Sequence, residues 1–196
     1  NFTLQEHHLK DILSKVDELL SDAITQEYKY GPSDRGENFL LIRSARSTIK
    51  KILKRELYEL NNEDSHITIT GLEEKIDATY TLKDGTKVKF YGKADRVEKV
   101  NGITRVVDYK TGKATQSELN LSDTKKVDWD SVEGKLNKGK ASKALQLLVY
   151  CAMLLKRDQT GDVVNAAIRS GRNAHSELLT LTINKNSNIT KDDVDR

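Results

Sequence analysis

The sequence predicts an α/β fold, a mixed β-sheet with flanking helices. Three observations carry that prediction. Apolar residues recur at helical spacing up to about Leu60. Between about His66 and Lys110 the period changes to that of strands. A strongly apolar helical segment, about Ala141 to Arg157, then precedes two further strand-like runs.

The first helix rests on Leu9, Ile12, Leu13, Val16, Leu19 and Leu20. A turn follows at Tyr30-Gly31-Pro32-Ser33-Asp34, which holds the chain's single proline. The second helix runs from Asp34 or Glu37 to Leu60, and Asn61-Asn62 ends it. Its Arg43, Arg46, Lys50 and Lys54 fall near one stripe, with Lys51 and Arg55 beside them. The stripe reads either as a track for a phosphate backbone or as a solvated face.

Next, Ile76, Ala78, Tyr80 and Leu82 alternate with Asp77, Thr79 and Thr81. Val88 and Phe90 continue the alternation after Lys83-Asp84-Gly85. A two-residue turn would put Tyr80 opposite Lys89. A three-residue loop with Gly85 left-handed pairs Tyr80 with Val88 and Ala78 with Phe90. Only the second register keeps one face apolar, so it is the one predicted. Asn101-Gly102 marks a second hairpin with a type I′ turn.

The segment from Gly112 to Lys140 has little periodicity and reads as a long loop. It holds Trp129 and lysines 125, 126, 135, 138 and 140. Flanking a single-strand channel is one option for Lys135, Lys138, Lys140 and Lys143, but no aromatic ladder accompanies them, so a stacking platform is not supported. After the apolar helix, Val163 to Arg169 and Leu178 to Ile183 read as strands, and the acidic tail from Lys191 reads as frayed. The organisation expected is one structural domain: a helical part over 1–60 and a core over 61–196.

Composition limits the functions. The 196 residues suffice for one domain with its own core. One cysteine, Cys151, excludes an internal disulfide and a four-cysteine metal site made by this chain alone. It fits a reducing compartment, and a cytoplasmic location is expected. The longest apolar stretch, Ala144 to Leu155, is too short for a bilayer, which takes ~20 residues. The net charge of +3 permits a nucleic-acid partner without arguing for one. The chain opens at Asn1 rather than at a methionine, so it is expected to be processed or cut from something longer.

The chemistry concentrates in Gly92-Lys93-Ala94-Asp95-Arg96-Val97 and Val106-Val107-Asp108-Tyr109-Lys110-Thr111-Gly112. Across a two-residue turn at Asn101-Gly102, Asp95 lies opposite Asp108, with Cβ atoms ~4.5–5.5 Å apart. Lys110 falls on the same face. Two carboxylates ~5 Å apart repel by ~3 kcal/mol at an effective dielectric of ~20. A proton, a divalent cation such as Mg²⁺ or Mn²⁺, or neighbouring cations would offset that. Two readings stay open on charge alone. One is a metal site with Lys110 beside a scissile phosphate. The other is a surface hairpin neutralised by Lys93, Arg96 and Lys110.

In order and spacing, these residues resemble the PD-(D/E)XK nuclease superfamily, and within it the RecB and AddB-like branch. That branch carries Q-x-x-x-Y on the following helix, where Gln146 and Tyr150 stand here. Their spacing of four puts both on one helical face. Alone, Gln146 would read as a tolerated polar residue and Tyr150 as core. The resemblance implies a restriction-endonuclease-like core that hydrolyses DNA phosphodiesters with Mg²⁺ or Mn²⁺, exonuclease action being the expected type. It implies that Asp95, Asp108 and the main-chain carbonyl of Tyr109 bind the metal. Lys110 would be the catalytic lysine, with Gln146 and Tyr150 facing the site. It also implies a helicase–nuclease that processes double-strand breaks, with single-stranded or end-containing DNA as substrate. The partner would be a helicase subunit or the rest of a longer chain. A non-cleaving DNA-binding or scaffold module is the alternative.

The branch usually adds a histidine on an early helix, after a glycine. His7 and His8 are early, but no glycine precedes them, and the motif histidine is expected before Asn1. Glu73 or Glu74 would match an acidic residue on the family's first strand. His66 and His175 read as incidental, and Cys151 as a buried small apolar residue. With one cysteine, the iron–sulfur cluster of some relatives has no ligands here.

Overall fold

The structure, a computed structural model, describes residues 1–27, 35–62, 65–121, 142–157, 160–173 and 177–194. Its elements in chain order begin with β1 (Phe2–Thr3), α1 (Glu6–Glu27) and α2 (Gly36–Asn62). The long strands β2 (Ile67–Thr81), β3 (Lys87–Val100) and β4 (Ile103–Lys110) follow, then a short helix α3 (Gln116–Leu119). After it come α4 (Ser142–Leu155), β5 (Val163–Ser170), β6 (Leu179–Thr180), β7 (Ile189–Thr190) and a last turn α5 (Lys191–Val194).

The strands form one mixed sheet in the order β1-β2-β3-β4-β5-β6, with β7 also on β5. All pairings are antiparallel except β4 with β5. A parallel pair needs a crossover, and α4 lies in it. The α/β fold class with a mixed sheet and flanking helices is therefore the one present.

The hairpins follow the local chemistry. Tyr80 pairs with Val88 and Ala78 with Phe90, and Gly85 takes φ +85° in the loop between them. Asn101 and Gly102 have φ +50° and +88°, the double positive φ that a type I′ turn demands. From that turn the pairing runs Val100–Ile103 back to Arg96–Val107.

The core lies between the sheet and α4. Leu147, Leu148, Cys151, Met153 and Leu154 of the helix pack against Ile76, Val97, Val106 and Ile168 of the strands. Cys151 is fully enclosed, and burial pushes its thiol well above the ordinary range. The opposite face of the sheet meets the C-terminal half of α2 through charges. Glu59 reaches Arg169 at 2.5 Å and Arg55 at 2.8 Å, and Glu56 reaches Arg96 at 3.2 Å. Burial works against the Glu59 charge, but the two arginines outweigh it and hold its carboxyl below the ordinary range. Helix α2 has no fully buried residue; Ile52, Leu53, Leu57 and Leu60 are half-buried, and these ion pairs tie its C-terminal half to the sheet.

Several expectations change. The Leu178–Ile183 strand shortens to two residues in β6, followed by single bridges at Thr182 and Ile183. The described part of the tail, Lys191–Val194, is a helical turn rather than frayed: Asp193 accepts bonds from both the amide and the hydroxyl of Thr190. The basic stripe of α2 is divided, because Asp17 of α1 binds both Arg46 and Lys50 at 3.0 Å. Lys143 is bonded to Glu118 of α3 rather than held toward a channel. The expected turn at 30–34, lysines 125, 126, 135, 138 and 140, Trp129 and His175 lie outside the described residues. No helix of the described residues is long and apolar enough to cross a membrane.

Candidate active site

The two aspartates come together where the β3–β4 ladder ends. Pairing keeps the expected register as far as Arg96–Val107 and stops there. On the other side of β3, pairing with β2 runs Leu72–Arg96 and Glu74–Ala94 and passes over Asp95. Asp95 is therefore not held by regular pairing to either neighbour. Its carboxylate accepts the Tyr109 N–H at 2.7 Å, so a side chain takes over from the ladder. The expected face-to-face ladder pair of Asp95 and Asp108 is replaced by this contact. The physical reason is that a carboxylate is a stronger acceptor than a backbone carbonyl and reaches the free amide directly.

Asp108 is 4% exposed on the face that carries α4. Lys110 Nζ lies 3.1 Å from its Oδ1 and 2.9 Å from its Oδ2. Burial pushes the Asp108 carboxyl above the usual aspartate range. Lys110 and Gln146 pull it down, and the Asp95 charge pushes it further up. A buried carboxylate beside a second one draws positive charge, and Lys110 supplies one in this arrangement.

From α4, Gln146 and Tyr150 complete the cluster. The Gln146 amide accepts from Lys110 Nζ at 2.9 Å and donates to Asp108 Oδ1 and to the Tyr150 hydroxyl, both at 3.2 Å. Tyr150 in turn donates to the Lys93 carbonyl at 2.9 Å. One continuous chain of hydrogen bonds thus joins Asp108, Lys110, Gln146, Tyr150 and the backbone of β3. The i, i+4 spacing of Gln146 and Tyr150 makes this geometrically possible.

Gly92 has a steric reason. A Cβ there would stand 2.9 Å from Tyr150 Cε1 and 3.4 Å from Met153 Cε. The missing side chain lets the tyrosine ring lie on the strand. Gly92→Ala is expected to destabilise by ~1–3 kcal/mol through overpacking. A urea midpoint measures this, and an unchanged midpoint would show that the ring has room to move.

The remaining sequence candidates sit elsewhere. His8 Nδ1 accepts the Gln5 N–H at 3.1 Å, and its ring packs on His7 and Phe2. Both histidines thus belong to the β1 edge, and no contact links them to Asp108. Glu74 is bound by Arg157 at 2.6 Å, and Glu73, with φ +50°, is paired with Lys93. His66 closes the second hairpin through its backbone to Asn101.

Behind the site, Glu56 and Glu98 went unread in the sequence, and Arg96 was read only as a neutralising cation on a surface hairpin. Glu56, Arg96 and Glu98 form a buried cluster with Tyr109 and Arg105 on the face away from α4. A signal existed. Arg96 and Glu98 occupy alternate positions of a central strand, where apolar residues are the rule, and Glu98 stands directly across from Arg105.

The donor set suits a hard divalent cation. Asp108 Oδ2 is buried without a hydrogen bond, since Lys110 approaches it outside hydrogen-bonding geometry. Asp95 adds a second carboxylate. Among the described residues no three His, Cys, Asp or Glu side chains converge, so water would complete a coordination shell.

A mixed sheet with an aspartate pair and a lysine at the end of a central hairpin, backed by Gln and Tyr from a helix, defines a nuclease-type core. The chain belongs to the PD-(D/E)XK nuclease superfamily, whose family model matches residues 3–186. No curated protein matches the chain. Membership implies nuclease activity on DNA, and nucleases of this superfamily typically use divalent metals such as Mg²⁺ or Mn²⁺.

Proposed function

We propose that the chain is the nuclease domain of a RecB or AddB-like helicase–nuclease that processes DNA double-strand breaks. The supporting observation is the Gln146 amide, which touches Asp108, Lys110 and Tyr150 at once. It ties the Q-x-x-x-Y helix to the D-Y-K strand, the pairing of motifs that marks this branch. The proposed reaction is hydrolysis of a DNA phosphodiester, exonucleolytic in type, on single-stranded or end-containing DNA.

In this reading Asp95, Asp108 and the Tyr109 carbonyl hold Mg²⁺ or Mn²⁺. Such an ion, when bound, polarises a phosphoryl oxygen and acidifies a water. The chain's own residues do the rest. Asp108 presents a buried carboxylate with an open lone pair. Lys110 sets a positive charge where phosphate oxygens gather negative charge. Gln146 aims Lys110, and Tyr150 fixes the helix to β3.

The non-cleaving DNA-binding or scaffold reading draws on one observation. Among the described residues the candidate site brings together two acidic side chains, Asp95 and Asp108, fewer than a complete protein-made metal shell. One experiment separates the readings: cleavage and binding of end-containing duplex and single-stranded DNA with Mg²⁺, for the wild type and Asp108→Ala. Cleavage by the wild type alone supports the nuclease. Equal cleavage by both removes Asp108 from the chemistry, and metal-independent binding without cleavage supports the scaffold.

A further inference from the structure

The β3–β4 ladder stops at Arg96–Val107, one step short of the two aspartates. Something else must set the distance between the strands there. On the α4 face, the Tyr109 N–H holds Asp95. On the opposite face, a second tether crosses the same gap. The Tyr109 hydroxyl accepts from Arg96 Nη1 at 3.1 Å and donates to Glu56 Oε1 at 3.0 Å. Arg96 Nη1 also reaches both oxygens of Glu56, at 3.2 and 3.3 Å.

The sequence positions give this tether its meaning. Arg96 follows Asp95 directly, and Tyr109 follows Asp108 directly. Each aspartate's chain neighbour is therefore gripped from behind by the same carboxylate of α2. The carboxylate and the guanidinium of the tether are largely enclosed, while Tyr109 is 36% exposed. The Glu56 and Arg96 side chains are 11% and 8% exposed, and Arg96 is further held by Glu98 at 2.5 Å. Charge-assisted bonds in such surroundings hold geometry well.

We propose that Glu56 is a positioning residue: acting through Arg96 and the Tyr109 hydroxyl, it sets the separation of Asp95 and Asp108 and so the affinity for the divalent cation. This rests on the metal-site reading above. Glu56 touches neither aspartate, so its effect is expected on metal affinity rather than on the rate once metal is saturating. Support of this kind is typically worth ~10–100-fold in affinity.

The test is Mn²⁺ binding, followed by the electron paramagnetic resonance signal of the free ion, well below each variant's melting temperature. Tyr109→Phe removes only the hydroxyl, and Glu56→Gln only the charge. Each is expected to weaken Mn²⁺ binding by about 10-fold. The double variant is expected to be no weaker than the weaker single one, since both act along one path. Glu59→Gln is the structural control: it removes the charge from the Arg169 and Arg55 pairs of the same helix and leaves Mn²⁺ affinity at the wild-type value. In cleavage assays, Glu56→Gln shifts the Mn²⁺ requirement while the saturated rate stays within about 2-fold. Unchanged affinity in both single variants, with binding lost in Asp108→Ala, overturns this inference alone. An equal loss in Glu59→Gln also overturns it, because the effect would then be general loosening of α2. Wild-type affinity in Asp108→Ala overturns the metal-site reading, and this inference with it.

Discussion

Lys110→Met is expected to slow DNA cleavage by roughly 10²–10³-fold at saturating Mg²⁺, the loss typical of removing one preorganised electrostatic partner of the transition state. Methionine keeps much of the stem's volume and removes the charge. In the wild type the ammonium is oriented by two groups at once, Asp108 and the Gln146 carbonyl, so little reorganisation remains when charge develops nearby. Arginine is not an adequate replacement, since its planar fork does not fit a point charge held between a carboxylate and an amide. Lys110→Met and Asp108→Ala are expected to differ in kind. Asp108→Ala loses metal binding, whereas Lys110→Met retains it, because the competitor for the Asp108 carboxylate has gone. Single-turnover rates measured beside Mn²⁺ affinities make the distinction. A Lys110→Met rate within about 3-fold of wild type would remove the lysine from the transition state.

Glu98→Ala is expected to destabilise the fold by about 3–5 kcal/mol, the cost of breaking a buried ion pair from one side. Glu98 is fully buried, and two guanidinium groups depend on it: Arg96 at 2.5 Å and Arg105 at 2.6 Å. Burial works against the Arg96 charge, and Glu56, Tyr109 and Glu98 together outweigh it. Without Glu98, Arg105 keeps no carboxylate partner among the described contacts, and Arg96 keeps Glu56 and the Tyr109 hydroxyl. Removing Glu98 and Arg105 together, as Glu98→Leu with Arg105→Leu, is expected to recover most of the loss. That replacement leaves an apolar pair across the ladder and Arg96 still bound to Glu56. Urea unfolding of the three proteins tests both statements. A loss below about 1 kcal/mol in Glu98→Ala would show that water reaches the arginines and replaces the carboxylate.

The two predictions concern opposite faces of one hairpin, and the faces differ in how readable they were. On the α4 face, the chemistry follows short-range rules. Asn101-Gly102 sets the register, alternation puts Lys110 beside Asp108, and the four-residue step puts Gln146 with Tyr150. On the α2 face, Glu56 lies 40 residues from Arg96 along the chain, and no local pattern joins them. The stripe on α2 stayed open between two readings for the same reason: Asp17 neutralises Arg46 and Lys50 from another helix.

By itself the sequence determined the fold class, both hairpin registers and the set of residues that gather at the site. These depend on backbone φ preferences, on the two-residue period of a strand and on the pitch of a helix, all of which act over a few residues. Only the tertiary structure decided how the aspartates are held. It ended the β3–β4 ladder at Arg96, turned Asp95 onto the Tyr109 amide, and placed Glu56 behind both. The physical reason is that buried charges take whichever partner the packed fold brings within hydrogen-bonding reach. That choice is made by residues far apart in the chain.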